Sequence, residues 1–424
     1  MKLILLALLL LFSVEFVIAG NNAKNVKVTG HFSYDKKEGK PKVFIEGIRL
    51  DMDYMRRNMR FVDFVNDPAV ADVHIIIAGQ TSGSGGRAYS MRFVNRTYEN
   101  FSEYTITCTT AATDTQEENR KKITEALTLG LMPFVNESEV ANNMSVQYHI
   151  NEDDETGANE VVDPWHNWTF RGDFNGGINA EESRKNYDYS VNLRADKVAE
   201  DWKFRNNAYV SVRTSKIEKD NEVYTSDRVS NRFSSSFVRS LSSRWSAGAF
   251  LDYSRNNYTN FKYSYSAKPA IEYNIFPWDI SDRKVFTLAY YVGPSWSKYY
   301  EETLYGKLDE FLWQETVRLD LQLVETWGEV NAGLSASNYL HDFSKNKISL
   351  DTRLSVRIVR GFSVNFRFNV EKIQDQIYLP KGEASLEDVL LNNIQLPSSF
   401  SIGADLGLRI QFGSIYNNIV NRRL

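Results

Sequence analysis

Three segments near the end of the chain alternate apolar and polar residues with almost no interruption. Ile348, Leu350, Thr352, Leu354, Val356 and Ile358 share one face, with Ser349, Asp351, Arg353, Ser355 and Arg357 on the other. Val364, Phe366, Phe368 and Val370 likewise oppose Asn365, Arg367, Asn369 and Glu371, and Phe400, Ile402, Ala404, Leu406, Leu408, Ile410 and Phe412 oppose Ser401, Gly403, Asp405, Gly407, Arg409 and Gln411. Successive side chains on a strand point to opposite faces, so each segment predicts a β-strand with one apolar and one polar wall. The segments run to about 11 to 13 residues, long for a soluble strand and enough to cross a bilayer when tilted.

The same period holds from Trp165 onward. It predicts strands at 166–179, 186–198, 202–217, 222–240, 243–256, 260–275, 284–299, 310–325, 328–341, 346–360, 362–377 and 399–413. Every second connection is short, and the others are mostly longer and polar, as in outer-membrane barrels with short periplasmic turns and longer outer loops. The expectation for 165–413 is a transmembrane β-barrel of about twelve strands, with a short helix at 385–391 in its longest loop. A soluble two-sheet protein is the contrasting fold, with strands nearer the usual five or six residues.

The first third of the chain reads differently. Val43-Phe44-Ile45 is a short strand, and 51–57 starts a helix with acidic residues first and basic residues later, as the macrodipole prefers. Ala71 to Ala78 is a near-continuous apolar strand, which fits a sheet covered on both faces. Strands follow at 88–95 and 104–110, and Ile123, Ala126, Leu127, Leu131 and Phe134 recur at helical spacing. Together 42–135 predicts a small α/β domain, so the fold class is α+β multidomain. Thr81 to Gly86 is glycine-rich but leads into a strand with no lysine following, so it reads as a hairpin turn rather than a phosphate loop.

Composition sharpens this picture at the ends. Lys2, the apolar run from Leu3 to Phe12 and Val17-Ile18-Ala19 have the layout of a signal peptide at 1–19, which agrees with the outer-membrane address expected from the barrel, with the N-terminal domain in the periplasm. A polar, flexible lead covers 20–41, an acidic linker 136–164, where 145–150 could form a short strand, and a tail 414–424. The net charge of −4 gives no reason to expect nucleic acid as a partner. Cys108 is the only cysteine, so the chain builds neither an internal disulfide nor a thiolate metal site. No cofactor is expected, and a calcium site in the acidic run is a minority reading.

Two resemblances extend the reading. Asp405-Leu406-Gly407-Leu408-Arg409-Ile410-Gln411-Phe412 resembles the polar-x-Gly-x-x-Φ-x-Φ signal recognised by the barrel assembly machinery, carried here by Asp405, Gly407, Ile410 and Phe412, although the chain continues beyond the terminal aromatic. Val43 to Glu46, Asp53 to Arg56, Phe61 to Asp67, Ala71 to His74, Gly83 to Gly86, Leu129 to Leu131 and Gly413 to Asn418 resemble a family of uncharacterised Bacteroidota-type outer-membrane proteins. That family often carries a paired Cys motif near the first strand, absent here at 47–51. The resemblance implies architecture and address, with no activity attached.

Candidate chemistry is sparse. A hydrolytic base should titrate near neutral pH, and only His31, His74, His149, His166 and His341 are available. His341 with Asp342 at an outer rim is the alternative, a protease- or lipase-like hydrolase, yet adjacent strand residues face opposite ways. The polar wall mixes Arg318, Arg353, Arg357, Arg367 and Arg409 with Asp320, Asp351, Glu371 and Asp405, and such balanced signs favour a lumen closed by charge pairs over an ion-selective pore. The resulting expectation is a non-enzymatic barrel in contact with outer-membrane lipid. It would act in envelope assembly, docking or passive solute passage, with a periplasmic protein partner bound through 42–135.

Overall fold

The computed structural model describes residues 37–82, 85–98, 102–144, 165–219, 222–359, 361–382, 395–410, 412–413, 416 and 418. The expected signal peptide, residues 20–36 of the lead, the acidic run 145–164, the loop helix 385–391 and most of the tail lie outside them. Residues 38–424 form one compact unit, so the two regions that the sequence separates pack as a single body.

The small region is a five-stranded sheet in the order β2-β1-β3-β4-β5, built from β1 (Lys42–Glu46), β2 (Asp63–Phe64), β3 (Val73–Thr81), β4 (Arg87–Asn95) and β5 (Tyr104–Thr110). β1 runs parallel to β2 and β3, and β3-β4-β5 form an antiparallel meander. Helix α1 (Met52–Asn58) starts where the Asp51 carboxylate accepts the Tyr54 N–H at 3.0 Å. Helix α2 (Gln116–Asn136) starts on a reciprocal capping box between Thr115 and Glu118. One sheet face meets the helices: Val73, Ile75, Ile77, Met91 and Phe93 pack with Leu127, Leu131 and Phe134, all nearly inaccessible to solvent. Each such side chain contributes roughly 1.5–3 kcal/mol by burial. Gly130 lets α2 approach closely, because a Cβ there would lie 2.0 Å from the Phe93 ring. The expected hairpin joins β3 to β4, with Gly85 at φ +78°.

The large region is a twelve-stranded antiparallel sheet in which each strand pairs with the next in sequence. Its strands are β6 (Trp168–Ala180), β7 (Arg184–Val198), β8 (Trp202–Lys219), β9 (Glu222–Ser240), β10 (Trp245–Asn256), β11 (Phe261–Asn274), β12 (Lys284–Tyr299), β13 (Asp309–Glu325), β14 (Gly328–Tyr339), β15 (Asp342–Val359), β16 (Phe362–Ile373) and β17 (Phe400–Ile410). The count matches the expected twelve, and β6 and β17 are its end strands. One expectation is corrected. Two connections expected to be longer are short, at 181–183 and 340–341, because chain assigned to loops extends the ladders instead; β15 begins at Asp342, not near 346. Between β14 and β15 a two-residue connection is all that antiparallel strands require.

The register keeps apolar side chains on one face across the whole sheet. Tyr253 on β10 lies between Phe233 and Tyr265, Tyr265 pairs with Trp296, and Trp296 with Phe311, giving five aromatic residues in one lateral row. Nearer the other end of the strands lie Trp168 with Phe204, Trp202 with Phe237, and Trp245 with Tyr273, at ring separations of 6.0, 5.9 and 4.8 Å. Much of this face is open: Phe174 is 73% exposed and Leu406 69%.

Candidate functional site

The face of the small sheet turned away from its helices meets the end of the large sheet that carries the β11–β12 and β13–β14 connections. Alternation decides which residues do so. With Ile75, Ile77 and Met91 committed to the core, His74, Gln80, Ser90 and Arg92 point the other way. Gln80 Nε2 donates to the Ser281 carbonyl at 2.7 Å, and Ser90 Oγ to Asp282 Oδ2 at 2.7 Å. Both acceptors lie in the β11–β12 connection. Arg92 donates to Glu325 Oε2 at the end of β13 and to Glu103 Oε1, each at 3.2 Å, while Lys284 holds the other Glu325 oxygen at 3.0 Å.

A second cluster is centred on Glu46. Its carboxylate takes the Arg357 guanidinium from β15 on one oxygen and His74 Nε2 at 2.7 Å on the other. Arg96 approaches His74 Nδ1 at 3.4 Å. Arg96 carries only donors, so the tautomer has its proton on Nε2 and His74 donates to Glu46. Arg357 also lies over the Phe44 ring, 5.0 Å from its centroid, and donates to the Thr326 carbonyl at 3.2 Å. Arg171 on β6 donates to the Gly85 carbonyl. Beyond β17, Tyr416 bridges to Val65, and Asn418 accepts the Phe64 N–H at 2.7 Å while donating to Asp63 at 2.8 Å. The small sheet is therefore tied to β6, the β11–β12 connection, β13, β15 and the segment after β17. A recess of about 580 Å³ remains at the junction, lined by Thr105, Thr107, Ser90, Asp282 and Arg283.

The predicted polar-wall residues divide into several groups. Arg318 and Asp320, two apart on β13, form a bidentate pair at 2.7 and 2.9 Å. Glu371 pairs with Lys347 at 3.1 Å, and Arg357 leaves the wall to join Glu46. Arg353 stands opposite Arg367, which stands opposite Asp405, whereas Asp351 faces Asn369 and Arg409 faces Ser363. Among the described residues no ion pair within 4 Å closes on these five. Arg353, Arg367 and Asp405 line a recess of about 590 Å³ with Gly407. Of the assembly-signal residues, Ile410 is 67% and Phe412 93% exposed.

His341 lies in the β14–β15 connection with its ring 5.9 Å from that of Tyr339. Asp342 turns to Ser344, accepting its N–H at 2.9 Å and its hydroxyl at 2.6 Å, so its carboxylate is occupied in holding the strand start. His74 is buried at the junction, and His166 sits in the turn before β6 at φ +49°; His31 and His149 lie outside the described residues. Cys108 on β5 is half-buried, and burial raises its thiol above the usual range, which keeps it protonated at neutral pH. Among the described residues no three His, Cys, Asp or Glu side chains are grouped to hold a metal ion, and no helix is long and apolar enough to cross a membrane. Sequence reasoning missed the Glu46–His74–Arg357 cluster, since residues 311 positions apart carry no spacing signal. A scan against protein-family models matches none, and a search among curated proteins finds no relative.

Proposed function

We propose that this protein is an outer-membrane β-barrel whose periplasmic mouth is covered by its own α/β domain, and that it acts non-enzymatically in envelope docking or assembly. The observation that carries the reading is the small sheet lying against strand ends from β6 to β17, with hydrogen bonds to several of them. A domain so placed presents α1 and α2 to the periplasm, where a protein partner would meet them, and obstructs passage through the barrel.

Several features support membrane embedding. Tyr265 and Tyr273 share the apolar face eight residues apart, roughly 27 Å along the strand, or about 20 Å across a bilayer at a typical tilt. That is close to the height of an apolar band between two aromatic girdles. Curvature is indicated at the other end of the sheet: Tyr378, five residues beyond β16, accepts through its carbonyl from Asn260 at 2.9 Å, beside the start of β11. In a flat sheet β16 and β11 would stand about 24 Å apart. In the proposed barrel β17 closes against β6; an even strand count makes that pairing antiparallel, and a lipid-exposed edge is not viable. Lipid would contact the apolar face, and the assembly machinery would engage β17.

The test combines two measurements on protein purified from outer membranes. The full-length chain is expected to give no steady ohmic conductance in a planar bilayer and to retain a stoichiometric partner that a version lacking 42–135 does not. Substantial conductance by the intact chain would move the reading to solute passage. Absence of a partner with either form would remove docking.

A further inference from the structure

The apolar face is not uniform, and one part of it carries a ligand signature that a general lipid-facing surface lacks. Under the lateral row Phe233–Tyr253–Tyr265–Trp296–Phe311 lies a groove of about 440 Å³ floored by Ala267 and Pro294. The floor is low for a reason in the sequence: Leu251 on β10 and Trp313 on β13 flank two small side chains in the same row. The β11–β12 ladder passes from Ser266↔Ser295 to Ala270↔Tyr291, and Pro269 and Pro294, which have no N–H to donate, stand within that interval. Gly293 admits the close approach, since a Cβ there would lie 2.0 Å from the Ala267 carbonyl oxygen.

Directly beyond the aromatic row, away from the groove, stand two cations on the same face. Arg255 Nε donates to the Tyr300 hydroxyl at 2.7 Å, and Lys298 is exposed two residues before Tyr300. Asp309 faces Lys298 in register, yet no ion pair closes between them among the described residues. Cations, then aromatic rings, then an apolar groove follow one another along the strands. On β14, by contrast, Val330, Ala332, Leu334 and Ala336 present small and medium aliphatic side chains, and Asn338 follows.

We infer that this face of β9–β13 is a binding site for a phosphorylated lipid of the outer leaflet. Its phosphate lies between Arg255 and Lys298, its glycerol or sugar against the aromatic row, and one acyl chain in the groove over Ala267 and Pro294. The inference rests on the membrane reading above. Guanidinium recognises phosphate through paired N–H donors and the ammonium adds a second charge, so the site selects the phosphate monoester over a zwitterionic head, whose own cation these two residues would repel.

The test uses the full-length protein reconstituted in phosphatidylcholine bilayers containing phosphatidic acid, then released into mild detergent for native mass spectrometry. The wild type is expected to retain one phosphatidic acid and to release phosphatidylcholine and diacylglycerol. Arg255→Ala with Lys298→Ala should lower that occupancy about tenfold or more, the loss expected for charge-assisted hydrogen bonds. Ala267→Phe, which fills the groove, should lower it comparably. Lys372→Ala, an exposed cation at the same end of β16 and not among the residues at this groove, should leave it unchanged. Equal retention by all variants, or retention of phosphatidylcholine as readily as phosphatidic acid, would reduce the site to ordinary annular lipid and overturn the inference. Should Ala267→Phe fail to assemble, the cation variants decide alone. If the wild type does not float with phosphatidylcholine vesicles, the membrane reading falls, and this inference with it.

Discussion

Arg92, on β4 of the small sheet, donates to Glu325 at the end of β13 with an N···O separation of 3.2 Å across 233 positions of sequence. Their side chains are only 10% and 21% exposed, so neither charge is well solvated if the other is removed. Arg92→Met is expected to destabilise the junction by about 1–2 kcal/mol, less than a fully buried pair because Glu325 keeps Lys284 and some water. In a double-mutant cycle with Glu325→Gln, limited proteolysis of the small region should reveal a coupling of about 1 kcal/mol. Additive effects would mean that the two charges act independently.

Leu334 and Ser335 are neighbours in the middle of β14 on opposite faces. Leu334→Arg is expected to cost about 2–4 kcal/mol in refolding into vesicles, the penalty for arginine on a lipid face near the midplane. Ser335→Arg, on the polar wall, should cost far less. Equal costs at the two positions would count against the membrane reading.

The start of α2 should respond to acid. Lys122 donates to Asp114 at 2.7 Å and the Ala111 N–H at 2.7 Å, holding that carboxyl below its ordinary range. The backbone N–H and hydroxyl of Thr115 do the same for Glu118. Both carboxyls are more acidic folded than unfolded. Their stabilisation is therefore complete above the ordinary carboxylate range, near pH 4, and is lost as pH falls through the lower folded values. Hydrogen exchange across 115–122 in the intact protein should accelerate below about pH 4 relative to the rest of α2, and Asp114→Asn should flatten that dependence.

Gly130→Ala tests the helix–sheet contact. The added methyl meets the Phe93 ring, which is fully buried and stacked on Tyr104 at 5.1 Å, so it has nowhere to move. Overpacking of this kind costs typically 1–3 kcal/mol. Because burial also raises the Tyr104 phenol to about 12 and its hydroxyl donates to the Gly130 carbonyl, tyrosine titration is a second readout. The phenol should ionise at lower pH in the variant.

His341→Ala should leave the thermal stability and the partner retention of the purified protein unchanged, because Asp342 is committed to Ser344 and not to the imidazole. A hydrolytic activity that disappeared with this substitution would establish the rim-enzyme alternative.

What was legible along the chain follows from local physics. Alternation at period two set the twelve long strands and assigned every residue from Val364 to Glu371 to its face, because a strand cannot satisfy that pattern in any other register. The helix at 51–57 was legible from its acidic-then-basic order and the longer one from the spacing of Ile123 to Phe134, because both are signals carried within a few turns of chain. Strand ends were less legible: whether 342–345 is loop or ladder depends on the partner strand, which the local pattern does not contain.

The junction depended wholly on the tertiary structure. Nothing near Glu46 announces Arg357, and nothing near Asp63 announces Asn418; each meeting depends on how the small sheet settles against the strand ends. The same holds for the polar wall, where a near balance of acids and bases suggested pairing, yet the register sets Arg353 opposite Arg367 and sends Arg357 to Glu46. Composition determines how much charge a wall carries. Only the register and the packing of one sheet on another decide which charges come within reach.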